Sequence, residues 1–195
     1  STACAKDNEI IRFACHFYYI IKNISIFKNC SVLFFVKKVL MTGTKGRIGQ
    51  ILAEGLRNSY LITSADLPGF DARRYEDVLT FSEGKDAVIH LAWNISTENF
   101  QHERIDPENF IMFENVYRAA LKTNVKRVIM ASSVHADDFR RHKEKLLFPN
   151  TIPSPTSPYG AHKVFMETLG RYYSTKGLEV VCIRFGLTGY GFNLD

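Results

Sequence analysis

The stretch Thr42-Gly43-Thr44-Lys45-Gly46-Arg47-Ile48-Gly49 constrains the fold more than any other part of this chain. It follows directly on the apolar run Val39-Leu40-Met41 and opens a segment whose Ile48, Ile51, Leu52 and Leu56 recur at the spacing of one helix face. Glycines at a strand-to-helix turn let the backbone bend sharply and come close to a pyrophosphate. Its charge is then met by the free N–H groups and positive dipole end of the helix. A glycine-rich turn without a ligand is the plain alternative. A P-loop is disfavoured, because Lys45 lies between the glycines and no Gly-Lys-Ser/Thr follows.

Beyond this turn, apolar runs at Tyr60 to Ser64, Ala87 to Leu91, Val128 to Ala131 and Val180 to Phe185 alternate with helical segments around Phe110 to Lys122 and from Pro158 to Thr175. Strand, helix, strand, repeated, predicts an α/β fold, a parallel sheet with helices on both faces. Residues 136–157 pass from a charged stretch to Pro149, Pro153, Pro155 and Pro158 and read as an exposed loop. With 195 residues, 46% hydrophobic and 23% charged, the chain is neither a disordered tail nor a disulfide scaffold.

The net charge of +5 is local. Residues 1–38 hold six bases (Lys6, Arg12, Lys22, Lys28, Lys37, Lys38) and two acids (Asp7, Glu9), so of the 25 bases and 20 acids the rest keeps 19 against 18. A main body so nearly neutral has no basic face for nucleic acid. Residues 1–37, rich in Ile, Phe, Asn and Lys, read as an N-terminal extension to a domain over 38–195, with a membrane-surface or partner helix as the alternative. Their apolar runs are broken at Lys22–Asn23 and Lys28–Asn29, short of the roughly 18–20 residues that span a membrane. Cys4, Cys15, Cys30 and Cys182 show no metal-like spacing, so no metal is expected, and they read as reduced thiols of a cytoplasmic protein.

Asp66 ends the second apolar run. A carboxylate there accepts hydrogen bonds from an adenosine ribose and repels a 2′-phosphate, favouring NAD, although an acidic turn residue before Leu67-Pro68-Gly69 is the alternative and Arg73 and Arg74 would still admit NADP. In Tyr159-Gly160-Ala161-His162-Lys163, preceded by the N-cap Ser157 and by Pro158, Tyr159 and Lys163 stand one helical turn apart. A nearby ammonium lowers a phenol pKa from near 10 toward the range useful for acid–base work. Ser132-Ser133, at a strand end, would hold a substrate oxygen against Tyr159, or simply form a turn.

Together these pieces resemble the extended short-chain dehydrogenase/reductases of the NAD-dependent epimerase/dehydratase family over residues 38–191. The match runs through Gly43 to Gly49, Asp66, Asp86 to Ala92, Asn109 with Asn115, Val125 to Ser133, Pro158-Tyr159-x-x-x-Lys163 and Arg184-Phe185-Gly186. Ser132-Ser133-Val134-His135 looks most like the uronate dehydrogenase branch. The resemblance implies a Rossmann-type doubly wound sheet binding NAD through Gly43, Gly46, Arg47, Ile48, Gly49, Asp66, Leu67, Leu91, Ala92, Trp93, Ser132, Tyr159 and Lys163. It makes Tyr159 the base that takes a hydroxyl proton as hydride leaves for the nicotinamide. Lys163 lowers the Tyr159 pKa and bonds the nicotinamide ribose, Ser133 orients the substrate oxygen, and Asn109 supports a relay water near the lysine. Ser96, Ser133 and His135 contact the sugar or sugar-acid substrate, with an ordinary loop histidine and a packing tryptophan as the alternatives for His135 and Trp93. It also implies a homodimer paired through the helices at 110–122 and 158–175.

Two departures stand out. Asp66 and Asp86 are 20 residues apart, too few for the usual helix, third strand and second helix, so the third strand and its adenine-contacting acid are expected to be shortened or lost, with Asp77 a poor substitute. The chain stops at Asp195, where the substrate-recognising C-terminal lobe would begin, so a C-terminally truncated member is expected. The function expected is an NAD-dependent oxidation of a sugar or sugar-acid hydroxyl. The alternatives are a nucleotide-sugar epimerase or dehydratase that recycles NAD, and a non-catalytic dinucleotide-binding module.

Overall fold

Residues 36–95, 98–99, 102–137 and 152–186 are described in the computed structural model of the chain. Five parallel strands, β1 (Lys37–Thr42), β2 (Tyr60–Ala65), β3 (Ala87–His90), β4 (Arg127–Ser133) and β5 (Glu179–Phe185), form one sheet in the order β2-β1-β3-β4-β5. β1 is the pivot, with Val39 beside Ile62 on one side and beside Ala87 on the other. The helices are α1 (Arg47–Leu56), α2 (Tyr75–Ser82), α3 (Pro107–Lys122) and α4 (Pro158–Ser174), and a 3-10 turn, Val134–Ala136, follows β4.

The chain leaves β1 in one direction to reach β2 and returns in the other to reach β3. Right-handed crossovers therefore place α1 on one face and α2, α3 and α4 on the other. The core follows this division, because Leu40, Val88, Val128 and Met130 of alternate strand positions join one cluster with Val78 of α2, Phe113, Val116 and Tyr117 of α3 and Met166 of α4. The intervening residues Val39, Met41, Ile89 and Ile129 are buried on the opposite face.

Only α2 separates β2 from β3, so the expected loss of the third strand holds and β2 becomes the sheet edge. α2 itself was hidden in sequence by its shortness, although Tyr75, Val78, Leu79 and Ser82 carry the helical spacing. In α1 the buried face is Gly49, Leu52 and Leu56, and Ile51 is exposed, contrary to the periodicity reading that placed it with the apolar face. Ser132 and Ser133 end β4, and Ser133 also caps the 3-10 turn by accepting the His135 N–H at 3.2 Å. Ser157 caps α4 by accepting the Gly160 N–H at 3.1 Å, with Pro158 in the first turn, as the spacing predicts. The extension up to residue 35, the loop over 138–151 and Ser96 lie outside the described residues. Among the described residues no helix is long and apolar enough to cross a membrane.

Candidate functional site

Beyond the C-terminal ends of β1 and β3, where the strand order reverses, lies the crevice in which open parallel sheets bind ligands. The glycine-rich turn forms one wall. Gly43 has φ +72°, and a Cβ there would fall 2.6 Å from the Ala92 amide nitrogen, so the turn lies against the chain leaving β3 only because residue 43 has no side chain. A Cβ on Gly49 would fall 2.2 Å from the Gly43 carbonyl oxygen, which seats the start of α1 directly on the turn. Gly46 caps α1 without a side-chain partner, and the first turn of α1 contains no acid, leaving backbone N–H groups aimed at an incoming anion. Arg47 is exposed there and Ile48 is half-buried.

Asp66 closes the other side. Its carboxylate accepts from Thr44 Oγ1 and from the Lys45 amide at 3.2 Å, while Lys45 Nζ donates to the Leu67 carbonyl at 2.6 Å. A cleft of about 430 Å³ brings together Gly43, Gly46, Asp66, Leu67, Leu91, Ala92 and Trp93. These residues fit the adenosine and pyrophosphate of a dinucleotide: a cradle that a Cβ would fill, a helix N-terminus and a carboxylate at the second strand end. Of the two arginines that would admit a 2′-phosphate, Arg73 is tied to two carboxylates and Arg74 is largely exposed. Arg73 bridges Asp71 at 2.7 Å and Glu108 at 2.9 Å, holding the Asp71 carboxyl below the usual range, and Arg74 faces Asp77 at 3.6 Å. Asp77 accepts the Asp71 amide at 3.0 Å, a local role that leaves it no part in the adenine pocket.

The chemical end is assembled by β4 and α4. A Cβ on Gly160 would lie 2.0 Å from the His135 carbonyl oxygen, so the first turn of α4 packs on the 3-10 turn and brings Tyr159 to Ser133. Burial raises the Tyr159 pKa, and a hydrogen bond with Ser133 opposes that rise. The His135 ring stands edge-on to Tyr159 at 5.9 Å. Lys163, only 3% exposed, donates from Nζ to the Ala131 carbonyl at 2.7 Å and lies 3.2 Å from the centre of the Trp93 ring.

Three residues with expected roles have these partners in the structure. Lys163 does not lower the Tyr159 pKa here, since its ammonium is 5.6 Å from the Tyr159 ring centre and is turned to β4 and the indole, so burial of the phenol prevails. The Ser132 hydroxyl donates to Glu167 Oε1 at 2.5 Å and is taken up in that bond rather than offered to the cleft. The Asn109 amide is paired with the Asn94 backbone, accepting its N–H at 2.6 Å and donating to its carbonyl at 2.8 Å, so it anchors the loop after β3 instead of facing Lys163.

Residues 39–191 match the family described as NAD dependent epimerase/dehydratase. The chain belongs to this family. Among curated members it is 32% identical over 170 residues to the L-arabinose 1-dehydrogenase (NAD(P)(+)) of Haloferax volcanii, covering 76% of this chain and 66% of that protein. It is 33% identical over 164 residues to the uronate dehydrogenase of Pseudomonas putida, covering 76% and 60%. The chain thus spans less than two thirds of these relatives' length. Among solved structures, uronate dehydrogenase from Agrobacterium tumefaciens superposes with a TM-score of 0.63 at 28% identity, covering 74% of this chain and 59% of that one. A variant of that dehydrogenase was solved with NAD. UDP-N-acetylglucosamine 4-epimerase from Bacillus cereus gives 0.68 at 28% identity, covering 80% and 62%.

This member of the epimerase/dehydratase family also places two neutral imidazoles behind its site, which sequence spacing alone did not single out. His90, at the end of β3, shares a 2.8 Å hydrogen bond between Nδ1 and Thr42 Oγ1, while its Nε2 has no partner among the described residues. Burial and the charge of Lys163 push His90 down to about 3 and His162 to about 4. The unfolded chain takes up both protons near pH 6.5, whereas the folded chain refuses them until far lower. Stability from this source is therefore complete above pH 6.5 and is lost as the pH falls toward 4. Urea denaturation is expected to show a loss of about 6 kcal/mol between pH 7 and pH 4, about half of it from each imidazole. His90→Gln should flatten that fall, and an equally steep profile in the variant would clear His90 of the effect.

Proposed function

We propose that this chain is an NAD-dependent oxidoreductase that oxidises a hydroxyl of a sugar or sugar acid, with Tyr159 as the base. One observation carries the reading. The cleft walled by Gly43, Gly46 and Asp66 extends along Leu91 and Ala92 to Trp93, whose ring meets Tyr159 edge-on at 5.8 Å, so one indole stands between the phosphate cradle and Tyr159. NAD, when bound, supplies the hydride acceptor. The chain's own residues do the rest: the α1 N-terminus and the glycine turn hold the pyrophosphate, Asp66 receives the ribose hydroxyls, Ser133 orients the substrate oxygen and Tyr159 takes its proton. The names of the dehydrogenase relatives support a pentose or hexuronate as the substrate class.

The test is absorbance of NADH during incubation of the chain with NAD and a panel of hexuronates and aldopentoses. Accumulating NADH is the expected result. Conversion of a nucleotide sugar without net NADH would instead assign the recycling chemistry of an epimerase, and calorimetric binding of NAD with no conversion of either substrate set would leave a dinucleotide-binding module.

A further inference from the structure

We propose that Trp93 is a plug over Lys163, and that the nicotinamide half of a dinucleotide reaches the Tyr159–Lys163 pair only after the indole has swung off the lysine. This rests on the reading that the cleft takes NAD with its nicotinamide end toward Tyr159.

The argument begins with space. At 3.2 Å from the ring centre, Lys163 Nζ is in direct contact with the face of the indole, and no ribose hydroxyl fits between them. On another side Nζ is held by the Ala131 carbonyl at 2.7 Å, and the residue as a whole is buried. The Lys163 side chain, which the family resemblance assigns to the cofactor's second ribose, is thus covered by a residue that also lines the cleft. Trp93 does not lie there loosely. It meets His162 edge-on at 5.2 Å and stacks with Phe113 at 6.5 Å, so the indole and Lys163 close an aromatic box built by α3 and α4.

What can move is the side chain. On one flank the Leu91 amide bonds the Thr42 carbonyl at 3.2 Å, and Ala92 is wedged against Gly43. On the other, the Asn94 backbone is held at both its N–H and its carbonyl by Asn109, and the Asn94 side chain donates to Glu108 at 2.8 Å. With the backbone pinned on both sides, uncovering Lys163 requires rotation of the indole about its own torsions. Burial pushes Lys163 down to about 7, and its Nζ faces the indole at 3.2 Å rather than the phenol, whose ring centre is 5.6 Å away. Once the indole turns away, the same ammonium is free to face the ribose and the phenol. Trp93 therefore places a conformational cost on dinucleotides that adenine mononucleotides, which stop at the pyrophosphate, do not meet.

The experiment compares ADP with NAD by calorimetry on the wild-type chain, Trp93→Ala and Trp93→Phe, and follows tryptophan emission of the wild-type chain, whose only tryptophan is Trp93. Trp93→Ala is expected to raise the ratio of NAD to ADP affinity by about tenfold, the loss of one desolvated cation–π contact. Trp93→Phe, which keeps a ring against Phe113 and His162, should fall between the two. In the wild-type chain NAD should red-shift the emission as the indole leaves its box, and ADP should not. If both nucleotides bind and the ratio is unchanged or lower in both variants, Trp93 is a wall and the plug is refuted, with the dinucleotide site intact. If neither nucleotide binds any of the three proteins, the cleft is not a dinucleotide site and the proposed function falls with the plug.

Discussion

Replacing Tyr159 by Phe is expected to lower the rate of sugar oxidation by about 10²–10⁴-fold and to leave NAD binding unchanged. The substitution is narrow. Phe keeps the ring that meets Trp93 at 5.8 Å and His135 at 5.9 Å and removes only the hydroxyl. Because burial raises the Tyr159 pKa, the phenol is protonated at neutral pH, and the wild-type rate should climb into the alkaline range as phenolate becomes accessible. The variant should lose that climb together with the rate. Single-turnover measurements at saturating NAD separate the two roles open to this side chain. A rate loss with intact NAD binding identifies the proton acceptor, a parallel loss of binding identifies a packing ring, and an unchanged rate removes Tyr159 from the mechanism.

The parts of this architecture that were legible in sequence are those whose causes are local. Gly43 and Gly49 announce themselves because a turn that tight excludes a Cβ, and Ser157 with Pro158 marks the start of α4 because capping is decided within one turn. The missing third strand could be counted from the 20 residues separating Asp66 and Asp86. Contacts made across the fold are not legible in this way. Ser132 and Asn109 look free in sequence, yet one is taken by a carboxylate of α4 and the other by the backbone after β3. The spacing of Tyr159 and Lys163 correctly puts both on one face of α4, but spacing says nothing about what covers that face, and an indole contributed by the β3 loop decides where the ammonium points. α1 shows the same limit in the core, since Ile51 shares the apolar period but falls at the rim of the packed face. A further signal was present and unused: Glu167 lies four residues beyond Lys163, continuing the face that carries Tyr159 and Lys163.

That carboxylate carries the second large expectation, a loss of about 3 kcal/mol of stability in Glu167→Ala. Glu167 is 8% exposed and receives Arg184 Nε at 2.9 Å and Nη2 at 2.8 Å in a two-pronged pair, in addition to the Ser132 hydroxyl. Arg184 reaches on to Asp137 at 3.5 Å, so one guanidinium joins β5, α4 and the turn after β4. Truncating Glu167 leaves that cation only its 3.5 Å contact with Asp137 among the bonds named and leaves Ser132 without its acceptor, beside the Ser133 that orients the substrate in the proposed mechanism. The Arg184 side chain keeps 26% of its surface in water, which holds the cost at the lower end of the about 3–5 kcal/mol seen for broken buried pairs. Removing both charges tests the cause. Glu167→Ala combined with Arg184→Met should be less destabilised than Glu167→Ala alone, because no half-paired cation remains and Asp137 keeps its bond from the Ser154 amide. Urea denaturation of the two single variants and the double variant closes the cycle. A strictly additive result, or a Glu167→Ala loss under about 1 kcal/mol, would show that the pair is a solvated surface contact and that β5 is held to α4 by packing alone.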